Sequence, residues 1–226
     1  MFLGHFGVAL AAKRAAPHTS LGTLVAASTL IDLVWPVLLL AGVEEARVVP
    51  GTTAFTPLEF TSYPVTHSAV TVAVWGVLFG AVYLWRTGNR TGAKVAGALV
   101  ASHWVLDALV HVPDLPLWPG GPEIGLSAWN SIPATLALEL SFFLVGLAVY
   151  VSATRPRGRA GRWVLAALVA FLAAVYAASA LGPPPESTEQ LGTVGLLAWL
   201  FVPWAAWADR HRQVSAEVRS GPVPVP

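Results

Sequence analysis

Residues 102–114, SHWVLDALVHVPD, place His103, Asp107 and His111 four residues apart in an otherwise apolar run. Four residues turn an α-helix by about 400°, so the three side chains share a stripe about 80° wide on one face. An imidazole and a carboxylate at i and i+4, with Cβ atoms about 6 Å apart, can ligate one ion through bonds of about 2.0–2.2 Å. His111 lies about 12 Å from His103 along the helix axis, too far to share that ion. With Asp114 just past Pro113, His111 is therefore assigned to a second metal or a substrate group. The chain has no cysteine, so any metal must be held by His, Asp or Glu.

The elements that carry these residues are set by composition. Of 226 residues, 55% are hydrophobic and only 11% charged, against roughly a quarter charged in soluble domains. The chain reads as an all-α polytopic transmembrane bundle. Windows of about 20 apolar residues mark six spans, at 20–43, 66–85, 91–112, 130–152, 161–181 and 191–207, preceded by a short helix over 2–16. That helix would extend only about 22 Å, too short to cross. Asp32, Asp107 and Glu139 then lie inside spans, where three isolated acids would cost roughly 8–10 kcal/mol. No Lys or Arg falls within a span except at its ends, so compensation must come from protonation, hydrogen bonds, histidines or a metal cation.

Twelve of the thirteen basic residues, all but Arg47, fall on one side of this segmentation, which predicts that side to be cytoplasmic, with the C-terminus there. Residues 1–210 read as one transmembrane domain, and 211–226 as a short disordered cytoplasmic tail. His18 and His211 are expected at the headgroups on the basic side. Trp85, Trp163, Trp204, Trp207, Tyr63, Trp118 and Trp129 are expected in interfacial belts. Two long outer loops rich in Pro, Gly and aromatics predict an ordered cap. Thr66 is the simplest N-cap for the second span, and Pro203 a kink in the last. His67 opens the second span and lies at the depth of His103. His5 joins them if the first helix rises from Lys13 into the membrane, about 12 Å over eight residues, and is excluded if that helix lies flat. Glu139 has no polar neighbour in sequence and is open to either a structural or a site role.

Gly4-His5, Asp32 followed by Pro36, Thr66-His67-Ser68 and Ser102-His103 with Asp107 together resemble the motifs of bacterial inner-membrane-bound metal-dependent hydrolases, of the LexA-regulated type. The resemblance covers about residues 1–120. The order of ligand types is also similar to that of zinc-dependent phospholipase C. The family's Pro-Asp-x-Asp-His box stands here as LIDLVWP, with one acid. Its His-Arg-Gly-x-Thr-His-Ser box stands as SYPVTHS. The shorter donor set implies one metal instead of several, or a site without hydrolytic chemistry.

These residues support a reading as an inner-membrane hydrolase whose divalent metal, zinc by donor type, is held by His5, Asp32, His67, His103 and Asp107. Asp32 and Asp107 would also act as catalytic carboxylates. The substrate would be a lipid-like molecule or phosphoester in the outer half of the bilayer. The near-neutral charge, +1, predicts no nucleic-acid partner. A transporter or proton relay would use the same groups as titratable stations, and a structural membrane protein would use them only to bond helices.

Overall fold

The computed structural model describes residues 1–215 and 218. Helices α1 (Leu3–Ala15), α2 (Leu21–Ser28), α3 (Leu30–Leu40), α4 (Ala69–Thr87), α5 (Arg90–Val110), α6 (Ile132–Ala153), α7 (Ala160–Leu181), α8 (Thr188–Gly195) and α9 (Phe201–Arg210) account for the fold. A 3-10 segment, Leu196–Leu200, joins the last two. Helices α4, α5, α6, α7 and the 23-residue α8–α9 stretch are each long and apolar enough to cross a membrane, and α2 with α3 reaches that length only as a bent pair, a broken span or a re-entrant loop. This is a multi-pass membrane protein. The predicted first span is not one helix but two, meeting at 54°.

Helix ends follow local chemistry. Ser20, Ser68, Asn89, Ser131 and Ser187 each accept a backbone N–H in the first turn of the helix they precede. The cap of α4 is thus Ser68 and not Thr66, whose hydroxyl is bonded elsewhere. Gly88 ends α4 with φ 68°, a left-handed conformation that glycine adopts without Cβ strain, so Asn89 can start α5 directly. In the last span the backbone tightens to 3-10 geometry ahead of Pro203.

Helix α1 runs through the bundle against α6, α2 and α5, which excludes the flat orientation. Its depth is set at the basic end. The Lys13 ammonium donates to Asp209 Oδ2 at 2.6 Å and to the Thr19 carbonyl at 2.9 Å. Tyr150 donates to the other Asp209 oxygen at 3.0 Å. Its apolar face joins a core that includes Leu3, Phe6, Leu10, Leu24, Val100, Phe143 and Leu168. Strand β5 (Thr154–Pro156) pairs with β6 (Arg212–Val214), and the buried Arg212 side chain bonds Thr154 and the Gly161 carbonyl. Residues 212–214 are therefore not part of a disordered tail; for residues 216, 217 and 219–226 that expectation lies outside the described residues.

At the opposite end the long loops form the expected ordered cap. Strands β1 (Glu45–Val48) and β2 (Leu58–Ser62) make an antiparallel hairpin. The second loop holds the short pair β3 (Leu115–Pro116) and β4 (Glu123–Ile124). The Phe55 amide, donating to the Trp129 carbonyl at 3.0 Å, ties the loops together. Trp85, Trp163 and Trp207 are exposed at the basic end and Trp118 at the cap. Tyr63 and Trp129 are buried beneath the cap instead of standing in a belt, and Trp204 is half-buried in the core.

Candidate metal centre

Five of the sequence-identified donors converge. Helix α5 supplies His103 and Asp107, with His103 Nε2 3.0 Å from Asp107 Oδ2. Helix α1 brings His5 Nε2 within 3.0 Å of Asp107 Oδ1. The break between α2 and α3 swings Asp32 to 3.5 Å from His103 Nε2, 3.8 Å from His67 Nε2 and 3.9 Å from His5 Nε2. His67, in the turn before α4, stands 3.9 Å from Asp107 Oδ2. All six His–Asp pairs thus fall between 3.0 and 3.9 Å. Donors bound at about 2.1 Å lie about 3.4 Å apart in a tetrahedron and about 3.0 Å apart at cis octahedral positions.

Two donor sets satisfy metal-binding geometry, His5 with His103 and Asp107, and Asp32 with His67 and His103. Each places its donor atoms within 4.8 Å of one another. Both depend on His103 Nε2, whose single lone pair binds one ion, so they describe one centre. Two carboxylates with three neutral imidazoles carry −2, which the Met1 α-ammonium at Asp107 reduces to −1, so the group still favours a divalent cation. The group could hold such an ion.

Hydrogen bonds prepare the histidines for this role. His103 Nδ1 lies 2.9 Å from the Ser28 carbonyl. A carbonyl only accepts, so Nδ1 carries the proton and Nε2 is left with a free lone pair. His103 Nε2 is buried with no hydrogen-bond partner among the described residues, the condition a ligating nitrogen would have. The Thr66 hydroxyl donates to Glu44 Oε2 at 2.6 Å and accepts from His67 Nδ1 at 2.7 Å. Glu44 Oε1 is held in turn by the amides of Val65 and Thr66. This carboxylate–hydroxyl–imidazole chain fixes the His67 tautomer in the manner of outer-shell partners at metal sites. The His5 ring stacks on His103 with centroids 3.8 Å apart.

Glu139 is buried and accepts the amides of Phe2 and Gly4 at 2.7 and 2.8 Å. It caps the start of α1, where backbone N–H groups and the helix dipole favour an anion, and so orients the turn bearing His5. The Met1 α-ammonium lies 2.5 Å from Asp107 Oδ1.

A cavity of about 210 Å³ adjoins the cluster on one side. Asp32, His67 and Asp107 line it, with Trp35, Phe60, His111, Trp129, Glu139 and Tyr176 among the other walls. His5 and His103, fully buried, lie behind. The Asp32 side chain is 38% accessible against 2% for Asp107, so the open face of the centre is the Asp32 face. His111 and Asp114 stay apart from the five donors. His111 Nδ1 is 2.9 Å from Asp114 Oδ1, and the Tyr63 hydroxyl donates to the same oxygen at 3.0 Å. Burial and the Asp114 carboxylate push the Tyr63 phenol far upward, keeping it a neutral donor. The expectation of a second metal at His111 finds no third donor there among the described residues. Sequence reading missed Glu44, Ser28 and the capping role of Glu139, because none stands in a periodic relation to its partner.

Comparison with family models, with curated proteins and with solved structures found no match to this chain.

Proposed function

We propose that the protein is a metal-dependent hydrolase that acts on a lipid-like or phosphoester substrate at membrane depth, with zinc as the resident ion. The observation that carries this reading is the convergence of three imidazole Nε2 atoms and two carboxylates beside a cavity, with outer partners on His103 and His67. Two ionised acids in hydrocarbon would cost roughly 5–7 kcal/mol uncompensated. Hydrogen bonds between membrane helices return about 0.6 kcal/mol each. The Met1 ammonium pairs with Asp107 alone; a divalent ion would offset both acids, which weighs against a purely structural role.

A divalent ion here would supply a water of lowered pKa and polarise a phosphoryl or acyl oxygen. His5 and His103 hold the closed side, and His67 and Asp107 complete the frame. Asp32, reached from the cavity, is placed to accept the proton of an attacking water. The cavity's aromatic walls exclude bulk water, and its position in the half of the bundle opposite the basic end favours a substrate drawn from that leaflet. The resemblance of the Gly-His, Thr-His-Ser and Ser-His-x-x-x-Asp segments to membrane-bound hydrolases agrees with this. Between the centre and the Lys13–Asp209 pair lie Phe6, Leu10, Leu24, Leu99 and Val100, buried and apolar. That layer offers no station for a proton, so hydrolysis is favoured over a relay.

The test is metal content and cleavage together. Protein purified in detergent should carry about one transition-metal ion per chain, lose it in His103→Ala and Asp107→Ala, and hydrolyse a fluorogenic phosphodiester or acyl ester only when loaded. Substoichiometric metal in the wild type, or occupancy unchanged in both variants, overturns the reading.

A further inference from the structure

Two hydrogen-bond donors in the cavity wall have nothing to bond. Trp35 Nε1 and the Tyr176 hydroxyl are both buried and without a hydrogen-bond partner among the described residues. Both residues line the cavity beside Asp32 and His67. They are 9% and 6% exposed, so water at the surface does not satisfy them. An orphaned buried donor costs about 1–3 kcal/mol, and two on residues lining one cavity would be satisfied by a ligand that supplies the acceptors. Trp35 follows Asp32 by three residues on α3, which puts both on the same face of that helix.

The same cavity reaches the exposed surface of α7 at Ser179. Helices α6 and α7 both pack on α1 and connect through the basic-end turn, with at most sparse close backbone contact between them among the described residues. Toward the cap, the wall between them is made of side chains. The Phe2 ring stacks on Tyr176 with centroids 6.3 Å apart, Phe55 of the cap lies 5.8 Å from Tyr176, and the exposed Ser179 forms the rim. Charge narrows what can enter. Glu139, Asp32 and Asp107 line the cavity, and no Lys or Arg does so among the described residues. With the Met1 α-ammonium, which also lines the cavity, and a divalent ion, the lining sums to about zero and holds no surplus positive charge for the second negative charge of a phosphomonoester. A head with several acceptor oxygens and at most one negative charge fits.

We infer that the site takes a singly charged phosphodiester lipid laterally through the α6–α7 gap, with Trp35 and Tyr176 donating hydrogen bonds to its headgroup oxygens. This inference rests on the metal reading given above and names the substrate class of that site. The test uses detergent-purified, zinc-loaded protein and three ligands: dihexanoyl phosphatidylglycerol, its deacylated headgroup glycerophosphoglycerol, and dihexanoyl phosphatidic acid. Calorimetric titration should show the intact diester lipid binding tightest. Trp35→Phe and Tyr176→Phe should each weaken it roughly five- to tenfold, the worth of one hydrogen bond, with metal content unchanged. Ser179→Trp, at the rim, should weaken the lipid while leaving metal content intact. Wild type without metal overturns the metal reading and this inference with it. Metal-loaded protein that binds the headgroup as tightly as the lipid, prefers phosphatidic acid, or is indifferent to both donor substitutions overturns the inference alone.

Discussion

At the scale of single residues, the outer partners decide what the histidines can do. Thr66 sits between His67 Nδ1 and Glu44, so its hydroxyl both receives the ring proton and is anchored by a carboxylate. Thr66→Val removes that relay while keeping the side-chain shape. It should weaken metal binding by about 10- to 100-fold, as measured by chelator competition, while Thr66→Ser stays near wild type. Equal affinities in the three proteins would show that His67 does not need the chain. His111 permits a pH prediction. Burial lowers its pKa from the ordinary 6.5, against the opposing pull of the Asp114 hydrogen bond. The unfolded chain therefore takes up this proton first as pH falls. The stability contributed by neutral His111 is fully present above pH 6.5 and is lost progressively below it. Thermal midpoints recorded from pH 8 to pH 5 should fall less steeply in His111→Asn than in the wild type; parallel curves would remove His111 from the account. The pair His103 and Asp107 was legible in the sequence because the helical period fixes their separation. Glu44 was not, since it reaches Thr66 across 22 residues of loop and hairpin.

At the scale of elements, the centre depends on two features of helix packing. The first is the seam between α1 and α6. A Cβ on Gly146 would overlap the Gly7 carbonyl, and one on Gly7 would overlap the Phe142 carbonyl, so the two backbones touch through missing side chains as small-residue membrane seams do. Gly146→Leu should push α1 away and draw His5 out of the donor set. Its metal affinity should fall to that of His5→Ala, and the double variant should lose nothing further. Additive losses would mean that the seam acts elsewhere. The second feature is the break at Thr29. The Ser28 carbonyl is taken by His103 and the Thr29 hydroxyl bonds the Val25 carbonyl, so α3 restarts at an angle that brings Asp32 inward. Hydropathy averaged over 20 residues sees one apolar stretch and cannot register a bend made by a distant imidazole. Pro36 gave no warning either, because the turn precedes it by more than one helical turn.

At the scale of the whole molecule, the charge map and the centre are complementary. Hydropathy and the clustering of basic residues were enough to read a helical bundle and to separate its two ends, since both depend on composition along the chain. The meeting of α1, α3, the start of α4 and α5 at one point was legible only as compatible depths, because rotation of each helix is set by packing. Those four segments are far apart in sequence, so an ion bound by all of them cross-links the fold. Binding to the native state alone stabilises by RT ln(1 + [L]/Kd), about 2.7 kcal/mol when free metal is 100 times Kd. For a chain of this size each kcal/mol moves the midpoint by about 2–4 °C, so stripping the metal with a chelator should lower the melting temperature by roughly 5–10 °C. Zinc added back should restore it. In Asp107→Asn, which lowers the donor charge and removes a shared ligand of His5 and His103, chelator should have no effect. If the wild type melts at the same temperature with its metal removed, the acids are compensated by neighbouring groups such as the Met1 ammonium, and the bundle does not need an ion to tolerate them.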